Sequence, residues 1–401
     1  MKQVQDAYIV AATRTPIGKS GRGYFKNTRP DDLLVAAVRS ALAHVPNLDP
    51  NAIEDAIIGC SFPEGEQGMN MARVAMVLAG LPHSVGGVTV NRFCASGLTA
   101  LQMAADRIRV GEADVMIAGG AESMSMVPMG GNKPSFNPEV FAKDENVGIA
   151  YGMGLTAEKV AAQWKVSRED QDAFALQSHQ RALAAMAAGG FTAEMTPIEV
   201  IDRFPNLVNP ELGEVSTKTR TVNLDEGARP DTSLEGLARL RAVFAAKGSV
   251  TAGNSSQTSD GAGVLILASE AAIKRFDLKP LARFVSYAAR GVAPEVMGIG
   301  PIEAIPAALK YAGLNLADLG WIELNEAFAA QALAVVRTLG LDPARVNPMG
   351  GAIALGHPLG ATGAIRAATV VHALHRENLK YGMVTMCVGM GQGAAGILEK
   401  V

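Results

Sequence analysis

The chain has 401 residues, of which 48% are hydrophobic and 19% are charged, and its formal net charge is −3. A chain of this length can bury a large core and exceeds one ordinary domain, so two or three domains are expected. The weakly negative charge provides no basic surface for nucleic acid or for an anionic membrane. The composition therefore favours small-molecule partners and argues against a nucleic-acid partner.

The cysteine content and the two ends of the chain indicate the cellular compartment in which the protein is expected. Cys60, Cys94 and Cys387 are too few for a disulfide framework and show no metal-ligand spacing, so we expect a reducing compartment and no metal. The N-terminus lacks a signal or transit pattern, and the last residues do not form a peroxisomal tripeptide. No apolar run approaches the roughly 20 residues of a membrane span. These features predict a cytoplasmic protein without membrane insertion.

The first 121 residues alternate buried strands with helices that carry recognisable start and stop signals. Thr28-Arg-Pro-Asp31 is typical of a helix start with proline in the first turn, and Gly80 is typical of a helix stop. The predicted elements are strands at 8–12 and 56–59 and helices at 28–44 and 69–79. This alternation favours a sheet covered by helices.

The stretch 88–100 runs from a β-branched strand directly into an Ala-rich helix, with Cys94 at the join. The first N–H groups of a helix lack intrahelical partners and carry the positive end of the helix dipole. They stabilise a thiolate and the oxyanion of an attacked carbonyl, so we expect Cys94 to be a nucleophile with a depressed pKa. The alternative is a buried cysteine that only fills the core. The apolar run 114–120 is predicted to be a parallel strand that follows the helix.

The character of the chain changes after Ser123. Prolines and glycines punctuate 128–138, and polar helices are predicted at 156–164 and 167–188. The segments 248–253 and 263–268 then return to the pattern of buried strands. We therefore predict a discontinuous N-terminal half at 1–121 plus 248–272, an inserted loop domain at 122–247, and a C-terminal half at 273–401.

The last 120 or so residues resemble the first in their order of elements. A Gly-rich turn at 347–363 precedes a predicted helix at 362–375 and a strand at 383–386. Two such α/β copies would pack into layered sheets and helices, with the chemistry between the copies. His357 lies on the Gly-rich turn, where it could transfer protons or be a satisfied structural residue.

Two further segments carry polar or sulfur groups at the ends of strands. Cys387 enters a run of glycines, and the backbone N–H of Gly389 could stabilise an oxyanion. Asn325 interrupts an apolar passage from strand to helix at 323–330. It could orient a water or a carbonyl, or it could cap the helix.

Four motifs resemble the thiolase family over the full length of the chain: Asn-Arg-Phe-Cys-Ala-Ser-Gly, Asn-Glu-Ala-Phe, Gly-His-Pro-Leu-Gly-Ala-Thr-Gly and Cys-Val-Gly-Met-Gly-Gln-Gly. The resemblance implies a duplicated αβαβα layered α/β fold with an inserted loop domain. It implies that Cys94 accepts the acyl group, that His357 activates Cys94, and that Cys387 moves the α-carbon proton. One oxyanion hole would use His357 with a water held by Asn325, and a second would use the N–H groups of Cys94 and Gly389.

The same resemblance implies an acetyl-CoA C-acyltransferase that cleaves 3-ketoacyl-CoA with coenzyme A in fatty-acid β-oxidation, reversibly by Claisen condensation. Coenzyme A is then a co-substrate, no cofactor is permanently bound, and the assembly is a homodimer or homotetramer. Arg229 could instead be an ordinary arginine on a solvent-exposed surface, with no role in CoA binding. The positions that match or neighbour the family's CoA contacts are Met153, Arg229, Ser233, Phe244, Ala252, Ser256, Ala327 and Phe328.

The branch of the family is indicated by Gly152-Met153-Gly154, since the acetoacetyl-specific branch has His-Met-Gly there. The stretch 225–240 resembles the degradative branch, which implies a broader acyl pocket. The alternatives are a biosynthetic acetoacetyl-CoA thiolase and an inactive thiolase-like carrier of acyl-CoA or lipid. A condensing ketoacyl synthase shares the fold but uses a single cysteine, and Cys387 argues against it.

Overall fold

The computed structural model describes residues 4–208, 211, 213 and 215–401. Its helices are α1 Pro30–Ala43, α2 Met71–Ala79, α3 Ser96–Arg109, α4 Met153–Gln163, α5 Arg168–Ala187, α6 Leu234–Ala238, α7 Glu270–Phe276, α8 Gly300–Ala312, α9 Ala329–Leu339, α10 Ala352–Leu355 and α11 Leu359–Arg376. Its strands are β1 Tyr8–Arg14, β2 Gly18–Lys19, β3 Asp55–Gly59, β4 Val88–Val90, β5 Val115–Ser123, β6 Ile198–Pro205, β7 Val215–Val222, β8 Ser259–Ala268, β9 Ala282–Gly291, β10 Leu319–Leu324, β11 Tyr381–Val388 and β12 Gln392–Lys400. Within the described ranges, no helix combines the length and apolar character needed to cross a membrane.

The order of the strands confirms the predicted internal repeat. In the first half, β3 lies parallel between β4 and β5, and β8 lies antiparallel between β5 and β1. In the second half, β10 pairs in parallel with β11 and with Val346, and β12 lies antiparallel between β11 and β9. The two copies join edge to edge where Tyr8 and Ile9 of β1 pair with Arg283 and Ala282 of β9.

Helices cover both outer faces of the sheets and fill the space between them. α1 and α2 pack on the first half with core residues such as Leu34 and Met76. α8 and α9 pack on the second half with Ile305 and Val335. α3 and α11 lie together in the shared core, against strand residues of both halves. The molecule therefore has the predicted order of layers, helix–sheet–helix–sheet–helix.

Glycines allow α3 and α11 to touch through their backbones. A Cβ on Gly97 would lie 2.8 Å from the backbone nitrogen of Ala364 and 2.9 Å from the carbonyl oxygen of Gly360. A Cβ on Gly363 would overlap the backbone nitrogen of Leu98. Gly363 thus allows the close backbone approach that was predicted for the Gly-rich turn, and its partner is the helix that follows Cys94. The other glycines of 347–363 lie against residues of other segments, such as Ser178, Glu326 and Cys60.

A buried ion cluster fastens the segment between β5 and β8 to the rest of the molecule. Arg14, at the end of β1, pairs with Glu194 at 2.5 Å and with Asp225 at 2.8 Å. Thr369 of α11 donates a further hydrogen bond to Glu194 at 2.9 Å. Removing one partner from a buried pair of this kind costs about 3–5 kcal/mol. The cluster therefore holds this segment firmly, although the proposed domain boundaries stay predictions.

The strand predicted at 248–253 is wrong, because these residues form a loop with one isolated bridge at Thr251. The backbone N–H groups of Ser249 and Val250 donate to the carboxylate of Glu158 rather than to a neighbouring strand. The side-chain oxygen of Asn254 accepts from the N–H of Thr251 at 2.8 Å. Side chains satisfy this backbone, so an apolar run is buried here without joining a sheet.

The contact between α3 and α11 can be tested with Gly363→Ala. Helix propensity alone would stabilise the variant by about 1 kcal/mol, whereas overpacking costs about 1–3 kcal/mol. Because the new Cβ would meet the backbone of Leu98, we expect a net loss of stability, measured as a lower urea midpoint with an unchanged slope.

Gly291→Ala is the matched control, since a Cβ there would meet only the carbonyl oxygen of Gly391 at 3.9 Å. This control should unfold at the wild-type midpoint or slightly above it, because alanine loses less backbone entropy on folding than glycine does. A wild-type or higher midpoint for Gly363→Ala would contradict the account of the helix contact.

Candidate active site

Cys94 lies in a sharp turn between β4 and α3. The turn Phe93–Ala95 is a single 3-10 turn that continues into the helix. Phe93 has a φ of +43°, a left-handed conformation that bulky residues rarely adopt. The side-chain oxygen of Asn91 supports this turn by accepting from the N–H of Phe93 at 2.7 Å. The predicted placement of Cys94 between strand and helix is confirmed, with a strained residue immediately before it.

The prediction of a depressed pKa for Cys94 is wrong for this structure. Cys94 is 7% exposed, and burial raises the pKa of its thiol to about 12. The backbone N–H groups of Gly389 and of Cys94 itself donate to the sulfur and oppose this rise. Amide donors therefore act on the sulfur as expected, but the loss of water outweighs them. The resting thiol is protonated and needs a base.

His357 lies between α10 and α11 and is almost fully buried. Its backbone N–H donates to the hydroxyl of Ser259 at 3.1 Å, which ties it to the start of β8. Its Nδ1 lies 2.6 Å from the hydroxyl oxygen of Thr362, which in turn donates to the carbonyl oxygen of Pro358. Burial, helped by nearby Arg366, lowers the pKa of the imidazole to about 3. The ring is therefore neutral and able to accept a proton.

Asn325 contacts the other nitrogen of this ring. Its side-chain Nδ2 lies 3.2 Å from Nε2 of His357. Because the hydroxyl of Thr362 donates to a carbonyl, it accepts from Nδ1–H, which leaves Nε2 as the basic nitrogen. The alternative of a helix cap does not hold, since Phe328 occupies the cap position of α9. Within the described part of the chain, the buried Oδ1 of Asn325 has no hydrogen-bond partner.

Cys387 lies near the end of β11 and is fully buried. It pairs with Gly393 in the hairpin formed by β11 and β12, and Gly389 follows it by two residues. Burial raises the pKa of its thiol well above 9, and the negative charge of an ionised Cys94 raises it further. The two sulfurs therefore share one site, with each half of the chain contributing one of them.

Glu122, to which the sequence analysis gave no role, joins the halves beside this site. Its carboxylate accepts from the backbone N–H of Ser61 at 2.7 Å and from that of Gly360 at 2.8 Å. Gln67 donates a third hydrogen bond at 2.5 Å, and burial raises the pKa of the carboxyl. Since Gly360 is in the first turn of α11, Glu122 positions the helix that follows His357. The available signal was an acid near the end of a buried apolar strand.

Glu326 has a similar role on the other side of the Gly-rich turn. It accepts from the hydroxyl of Ser178 at 2.6 Å, from the side-chain amide of Asn347 at 2.9 Å and from the N–H of Ile353 at 3.2 Å. These bonds hold the turn that leads to His357. The residue lies within the Asn-Glu-Ala-Phe motif, but its sequence context does not reveal that it is buried.

An open cavity of about 490 Å³ reaches the sulfur of Cys94. Leu359, Gly389 and Met153 line its inner part, and residues from 129–136 line its outer part. Its volume is in the usual range for small-molecule sites. His357, Asn325 and Cys387 are buried and are not part of this lining.

Six of the predicted CoA contacts lie close to Cys387 or to each other. Met153, Ala327 and Phe328 belong to the apolar cluster that contains Cys387. The ring of Phe244 meets that of Phe328 edge-on at 6.1 Å, and the N–H of Ser256 donates to the carbonyl of Ala327 at 2.9 Å. The sixth, Ala252, is exposed on the adjoining loop.

The other two predicted CoA contacts make local interactions in this structure. Arg229 is exposed and pairs with Asp231 at 2.9 Å, which agrees with the alternative of a solvated face. The hydroxyl of Ser233 caps α6 by accepting from the N–H of Gly236 at 3.1 Å. Contact between these residues and CoA stays a prediction. Among the described residues there is no cluster of His, Cys, Asp or Glu able to hold a metal ion.

Comparisons with known proteins agree over the whole length of the chain. The thiolase N-terminal domain matches residues 7–271, and the thiolase C-terminal domain matches residues 278–400. A 3-ketoacyl-CoA thiolase of Bacillus subtilis is 49% identical over 399 residues, which cover 99% of this chain and 100% of that protein. A 3-oxoadipyl-CoA/3-oxo-5,6-dehydrosuberyl-CoA thiolase of Escherichia coli is 45% identical over 414 residues, with coverage of 99% and 100%.

Solved structures give the same result. Human mitochondrial 3-ketoacyl-CoA thiolase in complex with CoA has a TM-score of 0.87 and 40% identity, with 100% of both chains covered. The acetyl-CoA acetyltransferase of Bacillus anthracis has a TM-score of 0.89 and 37% identity, also with 100% of both chains covered. With two domain matches, full-length relatives and a common fold around the Cys94 site, the chain belongs to the thiolase family.

Proposed function

We propose that this thiolase cleaves 3-ketoacyl-CoA with coenzyme A to give acetyl-CoA and a shortened acyl-CoA, through an acyl group on Cys94. The reaction is a reversible Claisen condensation and belongs to fatty-acid β-oxidation. The observation that carries the proposal is the buried site shared by both halves, where the turn Phe93–Ala95 packs against β11 and the Gly389 N–H donates to Cys94. The name of the B. subtilis relative, 3-ketoacyl-CoA thiolase, supports 3-ketoacyl-CoA as the substrate.

In the first half-reaction, His357 accepts the proton of the Cys94 thiol, and the sulfur attacks the 3-keto carbon. The bond between the α- and β-carbons then breaks, and its electron pair becomes the enolate of acetyl-CoA. Cys387 donates its proton to the α-carbon and becomes a thiolate. Covalent catalysis thus divides one difficult cleavage into two easier steps.

In the second half-reaction, the thiol of coenzyme A attacks the acyl group on Cys94. The Cys387 thiolate accepts the proton of that thiol, and protonated His357 returns a proton to the departing Cys94 sulfur. Both groups regain their resting protonation states. The high pKa of Cys387 suits this role, because a weak acid holds its proton until a strongly basic carbanion forms.

The N–H groups of Cys94 and Gly389 form the proposed oxyanion hole for the carbonyl attacked by Cys94, since both already donate toward the sulfur. The unpartnered Oδ1 of Asn325 is available to hold the water of a second hole beside His357. The apolar cluster of Met153, Ala327 and Phe328 would contact the pantetheine arm of coenzyme A. We further propose a cytoplasmic homodimer or homotetramer that has no permanently bound cofactor.

The shape of the cavity favours acyl chains longer than acetoacetyl over a restriction to short chains. Gly152 lines the cavity, and no atom lies within 4 Å of the position that a Cβ would take there. The biosynthetic alternative therefore predicts a steric limit that this residue does not impose.

The proposed function is tested by kcat/KM over a ladder of 3-ketoacyl-CoA chain lengths. We expect turnover well beyond acetoacetyl-CoA. A sharp optimum at acetoacetyl-CoA, with a fall of about tenfold for each added pair of carbons, would support the biosynthetic alternative. No loss of the 3-ketoacyl enolate absorbance with any substrate would support an inactive carrier.

The resting site should contain a neutral thiol beside a neutral imidazole. With a pKa of about 12 for Cys94, its thiolate fraction rises tenfold per pH unit through neutral pH. Alkylation of Cys94 by iodoacetamide should therefore keep accelerating by about tenfold per unit from about pH 6 to about pH 9. Cys94→Ala identifies the modified thiol. A rate that is constant across this range would indicate a preformed thiolate–imidazolium pair and contradict the account.

Cys387→Ala should separate acyl transfer from carbon–carbon cleavage. Formation of acetyl-Cys94 from acetyl-CoA expels a thiolate, which departs without a proton donor far more readily than a carbanion does, so this half-reaction should persist at a reduced rate. Thiolysis should fall by about 10⁴-fold or more, because no acid protonates the departing enolate. His357→Ala, the comparison variant, should impair both reactions.

The measurement is acyl-enzyme formation by intact mass beside steady-state thiolysis on the same folded preparations. An equal loss of both activities in Cys387→Ala would mean that Cys387 supports the structure of the site rather than proton transfer.

A further inference from the structure

Most of the predicted CoA contacts lie outside the lining of the cavity at Cys94, and this separation indicates which part of the substrate the cavity holds. Met153 lies both in the cavity lining and in the apolar cluster near Cys387. Arg229, Ser233 and Ser256 do not line the cavity. Under the proposed function, coenzyme A approaches from their side, so the acyl chain beyond the reacting carbonyl occupies the cavity.

The lining of this cavity is mostly apolar and contains one charged residue. Its uncharged polar members are Ser61, Asn91, Ser135 and Tyr151. Phe62, Phe93 and Met129 are typical of its walls, and Glu64 is the only charged residue among the described residues that line it. The one cation within 129–136 is Lys133, which is exposed and is not part of the lining. The acyl chain therefore meets a negative charge that no positive charge in the wall offsets.

The structure holds the carboxylate of Glu64 in place. The backbone N–H of Asn132 donates to its Oε2 at 2.7 Å, and the N–H of Glu64 itself donates to the carbonyl oxygen of Phe62 at 2.7 Å. Gly131 has a φ of +80°, and a Cβ there would collide with the carboxylate. This glycine lets the 129–136 segment close over Glu64, so the charge has a fixed position at the wall.

We propose that Glu64 is a specificity-determining residue that selects 3-ketoacyl-CoA substrates with an uncharged acyl chain and rejects those that end in a carboxylate. A terminal carboxylate would lose water in an apolar cavity and would also face a like charge. An alkyl end bears neither penalty. The inference rests on the proposed function and adds a substrate class that the comparisons leave open, since relatives of both kinds are similarly close.

The substrate side of the test uses the wild-type enzyme and three CoA esters of equal backbone length: 3-ketohexanoyl-CoA, 3-oxoadipyl-CoA and the terminal methyl ester of 3-oxoadipyl-CoA. We expect kcat/KM for 3-ketohexanoyl-CoA to exceed that for 3-oxoadipyl-CoA by on the order of 100-fold, since like charges in contact repel strongly. The methyl ester should recover most of this loss because it removes the charge and adds only one methyl group. A wild-type preference for 3-oxoadipyl-CoA would overturn the proposal.

The enzyme side of the test uses Glu64→Gln, which removes the charge and keeps an oxygen that can accept from Asn132. The ratio of kcat/KM between 3-ketohexanoyl-CoA and 3-oxoadipyl-CoA should fall by about tenfold. Glu139→Gln is the matched control, since Glu139 is an exposed acid on the neighbouring segment outside the lining. Its ratio should equal the wild-type ratio.

The outcomes separate this inference from the proposed function. An unchanged ratio in Glu64→Gln, with active enzyme, would refute the role of Glu64 and leave thiolysis intact. No turnover on any of the three esters would refute the proposed function and the inference together. Folding is checked by circular dichroism, and Glu64→Ala replaces the glutamine variant if that variant misfolds.

Discussion

Two helices from opposite halves of the chain touch backbone to backbone because Gly97 and Gly363 stand at their contact. α3 begins just after Cys94, and α11 begins just after His357, so this contact sets the positions of both residues. Glu122 adds a second connection through the first turn of α11. Cys94 and His357, the proposed nucleophile and its proposed base, are therefore positioned by rigid helices at the centre of the fold.

Burial determines the chemistry of this site. Cys94, His357 and Cys387 are all neutral at rest, because the interior disfavours a charge on each of them. Charge develops only during the reaction, and the fixed N–H groups of Cys94 and Gly389 are already in place to stabilise it. Fixed dipoles in a dry site act more strongly than the same groups in water, and on the proposed mechanism this preorganisation is the main source of catalysis.

The sequence was sufficient to predict those features that depend on local patterns of residues. The strand, turn and helix around Cys94 and the repeated order of strands followed from periodicity and glycine placement. It failed for the pKa of Cys94, because helix-end amides are visible locally whereas complete desolvation depends on packing from both halves. The same reason hid Glu122, Glu326 and Thr362, whose partners lie on other elements or across a turn. The loop at 248–253 was mistaken for a strand because an apolar run does not show which groups satisfy its backbone.

The central claim is that Cys94 carries the acyl group while His357 accepts its proton. The most direct measurement is the intact mass and peptide map of the enzyme after incubation with acetyl-CoA. The account predicts one added acetyl group on the peptide that contains Cys94, none in Cys94→Ala, and much slower labelling in His357→Ala. An acetyl group on Cys387 or Cys60, or undiminished labelling of Cys94→Ala, would contradict it.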